Sequence, residues 1–240
     1  MSKKYKLTDE TVKVNGKTLY RIEALKDFCG IKKGDKGGFV ESEQNLSHYG
    51  NCWLYEDACV YDNAIVKDNA RLYGSVRVFG NATINEDARV MDNALVYDNA
   101  YIGESAIVCG DCQIYNNAYV GGRTWILNKA CVFDNAHVYD NAQVNDNAKV
   151  CGNALVYGNA NVYKNALIDG RAHVHGDARV YDHACVYDDA RVYGDVLVRG
   201  DACVCVAMQK YQTNPITLFF KTGGQVVDIS HGHVQTICGL

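Results

Sequence analysis

Ala58-Cys59-Val60-Tyr61-Asp62-Asn63 and Ala94-Leu95-Val96-Tyr97-Asp98-Asn99 are copies of one six-residue unit, which runs without a gap from Ala58 to Ala207, 25 times in all. The third position is Val, Ile or Leu in every unit. The first is Ala in 21, the exceptions being Val76, Cys112, Thr124 and Val196, and the sixth is Asn or Asp in 18. A fixed hexapeptide period points to a β-helix.

Apolar first and third positions around a free second position are strand alternation, so one and three point inward and two and four outward. Val at position three is β-branched and favours extended backbone. Positions five and six carry Asp, Asn and Gly, which break strands and form corners. Asn enters the left-handed region at low cost, so position six is expected to be the bend residue. A short strand and a bend every six residues trace a polygon, with small Ala where the walls converge. The helical period of 3.6 is absent. The constant register of six excludes the five-residue repeat of quadrilateral β-helices.

These hexads resemble those of left-handed parallel β-helices, in which three hexads close one triangular coil. The left hand is implied by the resemblance alone, against the usual right-handed crossover preference. Three looser hexads, Val40–Asn45, Leu46–Asn51 and Cys52–Asp57, precede the block, giving 28 units or about nine coils. At about 4.8 Å between strands the rod is roughly 45 Å long.

The 240 residues suffice for one sizeable core, spread along the axis. No apolar run is long enough for a membrane span. Met1-Ser2-Lys3-Lys4 leads into polar sequence rather than a signal peptide. The cysteines, 11 in number, suggest no disulfide framework, and a reducing cytoplasm is expected. Cys109-Gly-Asp-Cys112 has metal or redox spacing, but the repeat register alone places Cys109 outward and Cys112 inward. Charge is uneven: residues 1–39 carry +5, residues 40–207 carry −10 and the tail +1. The acidic charge sits at corners and reads as solvated bends, so no nucleic-acid partner is expected.

Three segments follow: an N-terminal β-hairpin cap at 1–39, the winding at 40–207, and a C-terminal cap or assembly segment at 208–240. The cap reads as a Thr11–Val14 strand, an Asn15-Gly16 turn and a Thr18–Leu25 strand, followed by a Gly- and Lys-rich connection over Lys26–Gly38. An open solenoid end exposes core and strand edges, so a cap is needed. In the tail, Ile216–Lys221 and Gln225–Ile229 flank Thr222-Gly223-Gly224 as a second hairpin.

Ile22-Glu23-Ala24-Leu25-Lys26-Asp27-Phe28, Lys33-Gly34-Asp35-Lys36-Gly37-Gly38-Phe39-Val40, Asn45-Leu46-Ser47 and Gly50-Asn51-Cys52-Trp53 together resemble the leading region of YdcK-type hexapeptide-repeat proteins. The resemblance covers residues 20–207. It implies a bacterial protein, often one carried by phages and prophages, of a family commonly labelled acetyltransferase from its repeats.

An 18-residue coil stacks side chains in columns. The first face has Tyr61, Phe79, Tyr97, Tyr115 and Phe133 in one outward column, interrupted by Cys151 and Asp169 before Tyr187. Stacked rings stabilise the rod, or offer an apolar face to a partner. The second face carries Tyr101, Tyr119, His137, Leu155 and His173, with Gly103 and Gly121 expected to leave the two tyrosines standing clear. The third carries Ile107, Trp125, Cys109 and Leu127. The hexad Thr124–Lys129 departs most from the consensus, and an outward tryptophan among apolar neighbours is a typical contact anchor. Residues 101–127 are therefore expected to form one subunit or partner contact.

Enzyme chemistry is sought and not found. Hexapeptide acyltransferases hold coenzyme A in a groove between subunits and use a histidine as general base, in a walled and partly dry site. A long loop usually builds those walls, and none interrupts these 25 hexads. His137, His173 and His175 share a face at variable outward positions, His183 takes a corner, and His231 and His233 lie in the tail. No metal cluster, phosphate loop or nucleophile elbow appears.

The sequence therefore predicts an all-β, triangular parallel β-helix with small β caps, with no catalytic or metal-ligating residues and no cofactor. The expected role is a non-catalytic scaffold or binding protein, a homo-oligomer (dimer or trimer) in the cytoplasm, or the host cytoplasm if phage-encoded. It would bind a host macromolecule or small ligand through flat faces or subunit grooves, as an inhibitor of a host system for example. The alternative is an acyltransferase using coenzyme A.

Overall fold

The computed structural model describes residues 3–206 and 218–220. The chain is a triangular parallel β-solenoid of about nine turns, with short strands in three sheets of 13, eight and nine strands, parallel along the winding, the first of them extended by antiparallel strands at its ends. Its hexads visit the first, second and third faces in turn. Each strand pairs in register with the strand 18 residues on, as Leu95 with Gln113 and Tyr101 with Tyr119. No α-helix occurs among the described residues; Glu43–Asn45 is a single 3-10 turn.

The core is the repeat itself. First-position Ala and third-position Val, Ile and Leu, such as Ala118, Val120, Ile126 and Val132, are completely buried along the axis. Each buried Val is worth about 1.5–3 kcal/mol over an exposed one. Backbone groups are satisfied between coils, Cys59 N–H donating to Val76 O at 2.8 Å and Tyr61 N–H to Val78 O at 3.0 Å.

The corners differ from expectation. Every fifth-position residue from Asp62 to Gly200 has positive φ, so the left-handed bend is at position five and not six. The non-glycine bends there, such as Asp98 and Glu104, lie between +54° and +63°. In this geometry the fifth-position carboxylate reaches the next coil: Asp62 accepts from Gly80 N–H and Asp134 from Gly152 N–H, both at 3.1 Å. The sixth-position Asn is occupied differently, in a carboxamide ladder. Asn63, Asn81, Asn99, Asn117 and Asn135 each donate Nδ2 to the Oδ1 one coil on, at 2.9–3.2 Å, ending at Asn153.

The first two loose hexads are out of register. Val40 pairs with Val60 and Leu46 with Val66, an offset of 20 residues, whereas Trp53 pairs with Arg71 at the regular offset of 18. Val40 and Leu46 thus fill third-position slots. The two extra residues lie between Leu46 and Trp53, and just before them buried Asn45 ties the turn to the next coil, its Nδ2 donating to Asp62 O at 3.0 Å and Ala64 O at 2.9 Å.

The N-terminal hairpin is longer than the sequence suggested. β1 spans Tyr5–Val14 and β2 Lys17–Ala24, with a register shift between Leu7 and Thr11. β3, Lys36–Val40, begins inside the expected connection. These strands extend the first face edge-on. The open end is plugged by Tyr5, Ile22, Phe28, Ile31 and Trp53, with the buried Lys4 ammonium on Cys52 O at 2.9 Å. At the other end Leu218–Phe220 pairs antiparallel with Cys203–Val206. The second tail strand, His231 and His233 lie outside the described residues.

Candidate functional site

The faces, not a pocket, carry the candidate residues. On the first face Tyr61, Phe79, Tyr97, Tyr115 and Phe133 stack with centroids 4.9–5.2 Å apart and planes within 4°. Tyr61 is only 2% exposed, because Val14, Leu19 and Phe39 pack round it and Asn15 Nδ2 donates to its hydroxyl at 3.1 Å. It is therefore covered by the hairpin. The other four are half-buried and form the exposed part of the column.

On the second face Tyr101 and Tyr119 stack at 5.2 Å, and His137 continues the column at 5.3 Å. They do not stand clear. A Cβ on Gly103 would meet the Tyr101 ring at 2.7 Å, and one on Gly121 would meet the Tyr119 hydroxyl at 2.6 Å. The glycines let the rings lie flat across the sheet. The Tyr119 hydroxyl donates to Glu104 Oε1 at 3.1 Å. Burial and that carboxylate push its pKa up to about 12.

Sequence reasoning missed a further column on this face, although the 18-residue period contains it. Tyr139, Tyr157, His175 and Tyr193 stack at 5.0, 4.6 and 5.4 Å. His173 meets the edge of Tyr157 at 6.4 Å. Burial lowers the pKa of both histidines; Arg191 adds to the effect at His173, and His173 and Arg191 at His175. Both imidazoles are thereby biased to the neutral form.

The third face pairs Ile107 with Trp125 and Cys109 with Leu127. Trp125 is 47% exposed. Tyr101 and Tyr119 thus lie on a different wall from Ile107, Trp125 and Leu127, and residues 101–127 cannot form one flat contact. Ladders at Tyr55–Tyr73 and Tyr163–Tyr181 lie towards the two ends of the third face.

Between Ala58 and Ala207 the outward second and fourth positions hold nine charged side chains, eight of them cations, with Asp169 the exception. The acids cluster at the fifth and sixth positions, where 17 occur. Flat walls are thus aromatic and cationic, and the edges between them anionic.

Concavities on the rod are open. One of them, about 690 Å³, runs along the carboxamide ladder past Asn81, Asn99, Asn117 and Asn135. No group of three or more His, Cys, Asp or Glu side chains suited to a metal ion occurs among the described residues. Cys112 Sγ donates to Cys109 O at 3.1 Å, and burial pushes the thiols of Cys109 and Cys112 up to about 11 and about 12, respectively. No described helix is long and apolar enough to cross a membrane.

No protein-family model matches the chain. It is similar to the uncharacterized acetyltransferase YdcK of Escherichia coli (strain K12), with 33% identity over 58 residues. That match covers 24% of this chain and 18% of the other protein, so the chain shares a short segment with a relative it spans only in small part.

Proposed function

We propose that the protein is a non-catalytic β-solenoid that binds a macromolecular partner through its flat faces. The segregation of charge carries this reading: walls that combine stacked rings with eight cations and one acid suit an anionic, extended surface. Among the described residues the open faces also lack the enclosing walls that a dry reaction site needs. Under the resemblance to phage-borne hexapeptide proteins, that partner is a host macromolecule.

A second reading, acyl transfer from coenzyme A, is favoured by the similarity to a protein named as an acetyltransferase, which lends nothing to the first. Its candidate bases are His173 and His175, which burial biases towards the neutral form a base requires.

One pair of assays separates the readings. Purified protein is incubated with acetyl-CoA and a panel of amine and hydroxyl acceptors, and free coenzyme A is followed. In parallel, immobilised wild type and a Tyr97→Ala/Tyr115→Ala variant are compared for stoichiometric retention of a partner from cell extract. Retention lost in the variant, with no release of coenzyme A, supports binding. Turnover that disappears in His173→Ala or His175→Ala overturns it in favour of acyl transfer.

A further inference from the structure

We propose that the third face is the contact of an antiparallel homodimer, centred between the rungs of Ile107 and Trp125. Those two rungs are neighbours in the sheet, pairing Ile107 with Trp125 and Cys109 with Leu127. A two-fold axis lying in the plane of the face, along the strand direction, sets one rung of each copy on the other rung of its partner. Trp125, 47% exposed, then packs on Ile107, and Leu127 on Cys109.

The corners supply the complementarity. Only four cations occupy fifth or sixth positions: Arg123, Lys129, Lys164 and Arg171. Lys164 pairs with Asp182 at 2.6 Å and Arg171 with Asp189 at 2.7 Å, both one coil on. Arg123 and Lys129 have no ion-pair partner among the described residues, and they flank the Trp125–Asn128 strand on either side. The same two corners of the Ile107 rung carry Glu104 and Asp111. The proposed axis places Arg123 at the corner of the second copy's Glu104, and Lys129 opposite its Asp111. One operation therefore satisfies both cations and covers the exposed tryptophan.

Outward from the axis the face remains compatible. Arg89 meets Gln143, Arg71 meets Asn161 and the Tyr73 ring meets Tyr163, with no cation set on a cation. Two acid pairs oppose each other at the corners, Glu86 with Asp140 and Asp92 with Asp146, but all four carboxylates already accept hydrogen bonds, from Glu104 N–H, Gly158 N–H, Cys109 Sγ and Lys164 N–H, respectively. Six rungs at about 4.8 Å across a wall roughly 17 Å wide bury on the order of 1,000 Å² in total, the lower end for a specific interface. The arrangement is isologous, as closed dimers require, and it leaves the first and second faces free. It does not depend on the proposed function.

The test uses two charge variants whose substitutions suit the sixth position, where Asp and Lys both occur naturally. In Asp111→Lys the dimer would set lysine on lysine; in Lys129→Asp, acid on acid. Sedimentation velocity should give wild type at twice the 26.5 kDa chain mass, and each variant should dissociate at least about tenfold more readily. An equimolar mixture should restore dimers, and native mass spectrometry should show them to be heterodimers. Pairing of Asp111 with Lys129 inside one chain cannot produce that rescue. Trp125→Asp should be monomeric, with a melting temperature that matches wild type diluted to the monomer and no longer depends on concentration. A wild type that stays monomeric at 100 µM, a mixture that fails to recover, or an assembly indifferent to Trp125→Asp would overturn the proposal.

Discussion

The first face and the middle of the third are built from the same hexads, yet they use aromatic side chains in opposite ways, although the third face stacks its rings towards both ends. On the first face each ring from Phe79 to Tyr115 lies between two others, so its faces are turned to its own chain. On the third, Trp125 stands between Ile107 and Gln143, with no ring above or below. Neighbours one coil away decide whether an outward ring strengthens the wall or stays open to another molecule. The hairpin shows the first face already covered in part, by the chain itself.

Tyr97→Ala should have the largest effect, because it removes two stacked contacts at 4.9 Å and opens the middle of the ladder. A loss of about 3 kcal/mol is expected in chemical denaturation. A loss under about 0.5 kcal/mol would mean that the rings are ornaments of the wall rather than part of its stability.

Asp62→Asn comes next, at the foot of the hairpin, and should cost about 1 kcal/mol at neutral pH. Burial alone would raise the pKa of Asp62, but Lys17 and the Gly80 N–H outweigh it and hold the carboxyl below its usual value. Its contribution is therefore present above the unfolded-state pKa and is lost as pH falls through the lower folded value. The gap between the melting curves of wild type and variant should begin to narrow below about pH 4 and close only once the pH has fallen below the depressed folded-state pKa. A gap that persists there would assign the effect to shape rather than charge.

Lys164→Gly should stabilise by about 0.5 kcal/mol, since Lys164 is a long side chain at φ +60° where most bends are Asp, Asn or Gly. Its ion pair with Asp182 is half-exposed and offsets little of that gain. Smallest of all is Trp125→Ala, expected to move thermal stability by less than about 0.5 kcal/mol while changing how the protein associates. That separation of stability from association is the sharpest statement of the difference between the two faces.

Much of the architecture was legible because one side chain per slot is repeated 25 times, and an 18-residue coil assigns every outward residue to a face. Three things were not. The bend lies at position five because Asp and Gly there adopt the left-handed region, while the sixth-position Asn, equally able to bend, is held in its ladder. The two-residue shift falls between Leu46 and Trp53, where the hexad pattern is too loose to fix the register. The posture of Tyr101 and Tyr119 turns on the glycines two residues on, which read equally well as room to stand or room to lie down. The mid-rod candidates divide along lines the 18-residue period already draws: Tyr101 and Trp125 are near each other along the chain but belong to different walls.

The offset of 18 between paired strands makes the chain modular in an unusual sense. Excising one full coil, Ala136–Asn153 for instance, would shorten the rod and return every later side chain to its original wall. Excising a single hexad, Ala136–Asn141, would keep the core intact but rotate all that follows by one wall, so that His175 would emerge on the face of Tyr97. Length and surface identity are therefore set by different arithmetic, and a change of six residues can redecorate half of the molecule without disturbing its interior.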